Sequence, residues 1–332
     1  MNVAVRLPNW LGDTVMAVPA LAAVRAAWPE ARVLAAGPWA GLLAGQGLVD
    51  VLVDYPRRWS GRLRAADTVA RFRPDLAILL PSSLESALAA WYWGARRRVG
   101  FARGGRSELL TEAVAQPQPR AHQVDEYLTL VERCGAPAGA RAPALVPPAP
   151  DAVERAEARG LFEEAGVPAR AASLRIGVHL GAAHGPAKLW PLEQVVQFCR
   201  LLAEQRAAAV LLGAPGDVGS AAAITAVTPA ASLVGRDRAT LLPALLTEID
   251  ALVSGDTGVA HLAAALGTPV ITLFGPTDPR LSAPRGPGVV VRHEVPCAPC
   301  FYRACPIDHP CLRDIAPAQV WAATAALLGR AA

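Results

Sequence analysis

The sequence predicts an α/β protein built from two successive doubly wound, Rossmann-like parallel-sheet domains facing a central cleft. Three observations carry this. Short apolar runs alternate with helix-length stretches, and the alternation occurs twice. At 332 residues the chain exceeds the usual size of a single core. A segment crowded with Pro, Ala and Gly, Ala136 to Pro150, separates the two series.

The elements follow in order. Asn2 to Leu7 is a β-branched run and reads as a first strand. Pro8 to Asp13 is a turn, and Thr14 to Ala27 a helix. Arg32 to Ala36 and Val49 to Asp54 read as strands, as do Asp75 to Leu80, bounded by Pro74 and Pro81, and Arg98 to Phe101. Helices are expected around Arg62–Phe72, Leu84–Trp93 and Ala121–Cys134. After the Pro-rich segment, Asp151 to Ala165 reads as a helix with Asp151 near its N-cap. The second series has strands at Leu174–Leu180, Ala207–Leu212, Asp250–Ser254 and Val270–Phe274. Its helices are Leu192–Gln205, Ala239–Thr247, one starting at Thr257, and Pro317–Leu328.

Composition excludes several classes. Hydrophobic residues make up 53% of the chain, ample for two cores and against disorder. Val33 to Val49 lacks charge but is interrupted by Pro38, glycines and Gln46, so no transmembrane span is expected. Arg6, Asn9 and Asp13 interrupt any signal-peptide core, and a cytoplasmic protein able to rest on a membrane surface is expected. The net charge is a modest +4. Arginines crowd the N-terminal half (Arg57, Arg58, Arg62, Arg64, Arg71, Arg73, then Arg96, Arg97, Arg98, Arg103 and Arg106), beside Trp59, Trp91, Tyr92 and Trp93. No nucleic-acid recognition motif accompanies them, whereas such a mixture suits anionic lipid headgroups or simply a solvated face.

Three loops at strand ends could carry chemistry. Leu11-Gly12-Asp13-Thr14 follows the first strand. There Gly12 permits close backbone approach, and Asp13 is either an N-cap or a carboxylate base. The spacing is not a dinucleotide fingerprint, which disfavours a nicotinamide oxidoreductase. His179 to Pro191 is a Gly-rich loop holding Lys188, the one lysine of the chain. No Ser or Thr follows that lysine, so it is not a P-loop. It is a point charge for a diphosphate or a solvated surface lysine. Ser254-Gly255-Asp256-Thr257-Gly258-Val259-Ala260-His261 places a polar turn at a helix N-terminus. Free N–H groups and the positive end of the dipole favour an anion there. Asp256 could be an N-cap and His261 a core histidine. Alternatively, Asp256, Thr257, Gly258 and His261 act on one ligand, with Phe274 to Pro279 beside them. Cys297, Cys300, Cys305 and Cys311 allow a structural zinc site, but only one pair has ribbon spacing. Reduced packing cysteines are the weightier reading, and no metal is assigned.

These segments together resemble the ADP-heptose:lipopolysaccharide heptosyltransferases, glycosyltransferase family 9. The likeness runs from Arg6-Leu7-Pro8-Asn9-Trp10-Leu11-Gly12-Asp13 through Gly185-Pro186-Ala187-Lys188-Leu189-Trp190-Pro191 and Leu233-Val234-Gly235. It continues through the Asp256-Thr257-Gly258 turn with His261, Phe274 to Pro279, and the stretch ending in Cys311-Leu312-Arg313-Asp314. The Asn-Trp-Leu-Gly-Asp start and the cysteines lean toward heptosyltransferase II. The resemblance implies a GT-B fold, with residues 1–168 binding the acceptor and 169–332 the ADP-sugar, and the last helix able to pack back on the first domain. It implies transfer of L-glycero-D-manno-heptose to the lipopolysaccharide inner core; the helix N-terminus at Thr257 and Lys188 would offset the leaving-group charge, so no cofactor is expected to be required. Carried over by position, Asp13 is the base and Lys188 assists the reaction. Lys188, Asp256, Thr257 and Gly258, with His261 alongside and Gly12 opposite, hold the donor. Gly255 stands where many relatives have Asn. Competing readings are another sugar-nucleotide enzyme on the same fold, such as an epimerase, and a noncatalytic nucleotide- or lipid-binding module.

Overall fold

The computed structural model describes every residue except 59, 138, 237, 331 and 332, so Trp59 lies outside the described residues. The chain divides into two compact units, Met1–Leu145 and Val146–Ala332. The division falls inside the Pro/Ala-rich segment. It precedes the boundary expected at 168 because the helix Val153–Glu164 packs on Leu242–Thr247 of the second unit.

The first unit holds β1 (Asn2–Arg6), β2 (Arg32–Gly37), β3 (Val51–Asp54), β4 (Leu76–Leu79), β5 (Arg97–Phe101) and β6 (Glu112–Val114). They form one parallel sheet in the order β3-β2-β1-β4-β5-β6. The second holds β7 (Leu174–His179), β8 (Ala207–Leu212), β9 (Ala231–Ser232), β10 (Ala251–Gly255), β11 (Val270–Phe274) and β12 (Gly288–Arg292). Its parallel order is β12-β11-β10-β7-β8-β9. Read in chain order, the two sheets have the same topology. In each, the first and fourth strands are central neighbours, and the winding reverses between them. Ligands of open parallel sheets bind at the carboxyl ends of those two strands.

Both faces of each sheet are covered, so the central strands are continuous apolar runs; β4 and β11 are buried along their whole length. In the second unit, Ile176, Val253 and Ile271 pack with Phe198 of the helix Leu192–Glu204 and Trp321 of Pro317–Leu327. Fully burying such a side chain contributes roughly 1.5–3 kcal/mol. The last helix packs within the second unit, against Leu192–Glu204, β11 and β12. The expected helix from Thr14 to Ala27 is two helices, Leu11–Met16 and Val18–Ala27. Pro19 lacks the N–H that would bond to Val15, so the ladder breaks there. The N-cap near Asp151 is Ala152. No helix among the described residues is long and apolar enough to cross a membrane.

Candidate active site

The second unit gathers its polar groups at the ends of β7, β10 and β11. Register aligns His179 with Ser254, and Gly255 with Leu273. Beyond β10 the chain turns through Asp256 and Thr257 into the helix Gly258–Ala265. Thr257 is the N-cap residue, and its side chain does not cap the helix; its hydroxyl is instead shared with Ser254 Oγ at 2.9 Å. The first-turn N–H groups therefore have no side-chain cap, the arrangement that favours an anion.

Lys188 arrives from the other loop. It ends the short 3₁₀ turn Pro186–Lys188, and Trp190 fixes the following chain. The Trp190 ring meets Phe198 edge-on at 5.7 Å, and its Nε1 donates to the Ile315 carbonyl at 3.2 Å. Lys188 Nζ donates to Asp256 Oδ2 at 2.5 Å and to the Asp256 carbonyl at 3.1 Å. Thr277 Oγ1 donates to the same carboxylate oxygen at 2.7 Å. Both charged side chains are largely buried, where an unpaired charge would be costly. An ammonium has three N–H donors, and Asp256 occupies two. Gly255 has a local reason. A Cβ there would lie 2.7 Å from the Lys188 carbonyl oxygen, so the loop can rest on the turn only over glycine.

A cavity of about 330 Å³ opens beside Lys188, lined also by His179, Gly181, Trp190, Glu193 and Ser254. His179 Nδ1 is buried without a hydrogen-bond partner, and burial pushes the ring's pKa down to about 4. Burial, together with the neighbouring Lys188 charge, also lowers the pKa of His184. The Cys-rich segment straps this edge. The N–H groups of Cys300 and Phe301 donate to the Pro276 carbonyl at 3.0 and 2.8 Å. Arg303 accepts from the Ala187 N–H at 3.1 Å and donates to the His184 carbonyl at 2.7 Å. Gly185, at φ +147°, lies against the Arg303 carbonyl where a Cβ would collide. All four cysteines of the segment are free thiols, Cys297 exposed and Cys311 buried. Among the described residues no group of three or more His, Cys, Asp or Glu could hold a metal ion.

In the first unit, Arg6 closes β1 and is fully buried. Its guanidinium stacks on Tyr55 at 4.4 Å, donates to Asn9 Oδ1 at 3.0 Å and to the Leu7 carbonyl, and lies 3.9 Å from Glu85. Tyr55 donates to Glu85 at 3.1 Å, and burial with that carboxylate pushes the phenol up to about 12. Arg6 thus pins the loops after β1, β3 and β4. Gly12 is buried in the first turn of Leu11–Met16, and Asp13, partly exposed, is third in that helix. Trp10, not Asp13, is its N-cap. Behind it, Tyr127 is buried, and burial with the charges of Asp13 and Glu126 drives its phenol well above the usual range.

The structure therefore unites Lys188, Asp256 and the Thr257-Gly258 helix start. His261 lies further along that helix and is buried, 5% exposed. Asp13 and Gly12 belong to the first unit. Sequence reasoning gave no role to Thr277 or to the Arg6–Tyr55–Glu85 cluster. A lone arginine inside an apolar strand was the available signal for the latter.

The two Rossmann-like units define the fold as GT-B. The chain matches the structure of E. coli ADP-heptose LPS heptosyltransferase II with a TM-score of 0.80 at 24% identity, covering 99% of this chain and 98% of that one. More narrowly, it belongs to glycosyltransferase family 9: the family model "Glycosyltransferase family 9 (heptosyltransferase)" matches residues 62–310. It is 27% identical to lipooligosaccharide heptosyltransferase 2 of Haemophilus influenzae over 86% of each chain. It is 26% identical to lipopolysaccharide heptosyltransferase 2 of E. coli over 86% of this chain and 85% of that one.

Proposed function

We propose that this glycosyltransferase moves L-glycero-D-manno-heptose from ADP-heptose to a lipopolysaccharide inner-core acceptor, with inversion, as a heptosyltransferase II. It works in the cytoplasm, at the inner face of the inner membrane. The names of its relatives support ADP-heptose as donor and a lipopolysaccharide as acceptor. The observation that carries the reading is the Lys188–Asp256–Thr277 assembly at an uncapped helix start.

Asp13 accepts the acceptor hydroxyl proton as that oxygen attacks the anomeric carbon. The bond to the diphosphate oxygen breaks in the same step, and the electron pair leaves on ADP. The remaining ammonium donor of Lys188 and the N–H groups of Gly258 and its neighbours meet that charge. Asp256 orients Lys188, and His261 supports the turn from within its helix. With this ammonium and the helix start in place, no divalent ion is required for departure.

Incubation with ADP-heptose and defined inner-core acceptors, followed by mass analysis, tests the reading. One added heptose, formed only with acceptor and undiminished by chelator, is expected. Donor conversion without acceptor would favour an epimerase. Turnover abolished by chelator and restored by a divalent cation would remove the cofactor-free step.

A further inference from the structure

We propose that the outward face of the helices Arg62–Phe72 and Leu84–Tyr92 docks on an anionic lipid bilayer. The inference extends the proposed function, whose acceptor is a glycolipid, but its observations are separate from the transfer site.

A helix at the surface ordinarily turns polar residues outward. Leu84–Tyr92 does not. Its inner face is Ala87, Ala90 and, just past its end, Trp93, all buried. Its outer positions are Leu84 (46% exposed), Leu88 (46%), Trp91 (60%) and Tyr92 (51%), at the spacing i, i+4, i+7, i+8. The neighbouring helix adds Leu63, 74% exposed. The two helices are tied along this side. Tyr92 donates to Asp67 at 2.5 Å, and Arg62 reaches Glu85 at 3.6 Å. Single exposed apolar residues are normal, but five on adjoining helix faces form a patch.

Its rim is basic. Arg64 and Arg71, three residues before and four after Asp67, share the stripe that meets Tyr92, and both are exposed. Arg96 follows the end of Leu84–Tyr92, and Arg58 precedes Arg62; both are also exposed. The whole first unit has this bias. Residues 1–145 carry 17 arginines and no lysine against 12 carboxylates, while residues 146–332 carry 15 basic and 16 acidic side chains. Leucines enter the acyl boundary, Trp and Tyr rings favour the headgroup level, and guanidinium groups pair with lipid phosphates. A second copy of the chain would set arginine against arginine across the same face, which is unfavourable.

The test is flotation of the full-length protein with acceptor-free vesicles of phosphatidylcholine alone or mixed with phosphatidylglycerol. Binding is expected only to the mixed vesicles, and high salt should weaken it. The double variant Leu88→Glu, Trp91→Glu should bind at least about tenfold more weakly, as should Arg64→Glu, Arg71→Glu. All four side chains are exposed, so both variants should melt like the parent and transfer heptose to a lipid-free acceptor at the parent rate. Absence of flotation, equal binding to neutral vesicles, or variants that float like the parent would overturn the proposal. A dimer split by Leu88→Glu, with no vesicle binding, would assign the face to a second copy and also overturn it. The readout needs neither donor nor acceptor, so its failure leaves the transfer reaction standing, and failed transfer leaves the docking surface standing.

Discussion

The two units share one strand order yet fill the reversal point differently. At the end of β1 a fully buried arginine is held by Tyr55, Asn9 and Glu85, and every part of that cluster supports three strand ends. At the ends of β7 and β10 a lysine and an aspartate are paired beside an uncapped helix start and a cavity. The same topology thus carries a packed polar cluster in one unit and, in the other, an ion pair beside an uncapped helix start. What separates them is the setting of the cation: Arg6 is fully buried among Tyr55, Asn9 and Glu85, whereas Lys188 lies beside a cavity.

The sharpest test sets Lys188→Ala against Asp13→Asn. Each should lower turnover by about 100-fold or more. Only Lys188→Ala should weaken ADP binding by calorimetry; equal ADP affinity in both would erase the distinction. Next is Gly255→Ala. The added Cβ must displace the Lys188 carbonyl, at a cost of about 1–3 kcal/mol, with Lys188 drawn off line and turnover down by about tenfold. A variant as active as the parent would show that the close approach is incidental. In the first unit, Glu85→Gln removes the carboxylate facing a buried guanidinium. A loss of roughly 1–3 kcal/mol in denaturant unfolding, with ADP affinity unchanged, is expected.

The smallest effect concerns pH. Above the usual histidine value of 6.5, His179 is neutral whether the chain is folded or unfolded. Between 6.5 and about 4 only the unfolded chain takes up the proton, so stability falls as pH drops through that window. His179→Leu should flatten that part of the melting-temperature profile, and an unchanged slope would reject the assignment.

Much of this was legible beforehand. Central strands such as β4 and β11 are apolar runs between turn residues, and burial on both faces requires that. The Lys188 loop and the Asp256-Thr257-Gly258 turn could be singled out because a rare lysine and a glycine-flanked helix start are local signals. The edge strands β6, β9 and β12 were not anticipated. Two of them have three residues or fewer, and β12 follows Gly286-Pro287, a turn signal that masks it. The pairing of Thr277 with Asp256 spans 21 residues, and no local spacing encodes it. That Gly255 stands where many relatives have Asn gave no hint of the Lys188 carbonyl that rests against it, 2.7 Å from where a Cβ would lie.

Because Lys188 is the one lysine in the chain, primary-amine chemistry has a single side-chain address, and that address lies beside the cavity of the second unit. An acylating reagent followed by peptide mass analysis would report occupancy of the pocket directly, with the α-amino group as internal standard. Saturating ADP should slow labelling of Lys188 several-fold and leave the terminus untouched. The composition of the chain thus makes one buried ammonium a direct probe of whether ADP occupies that cavity.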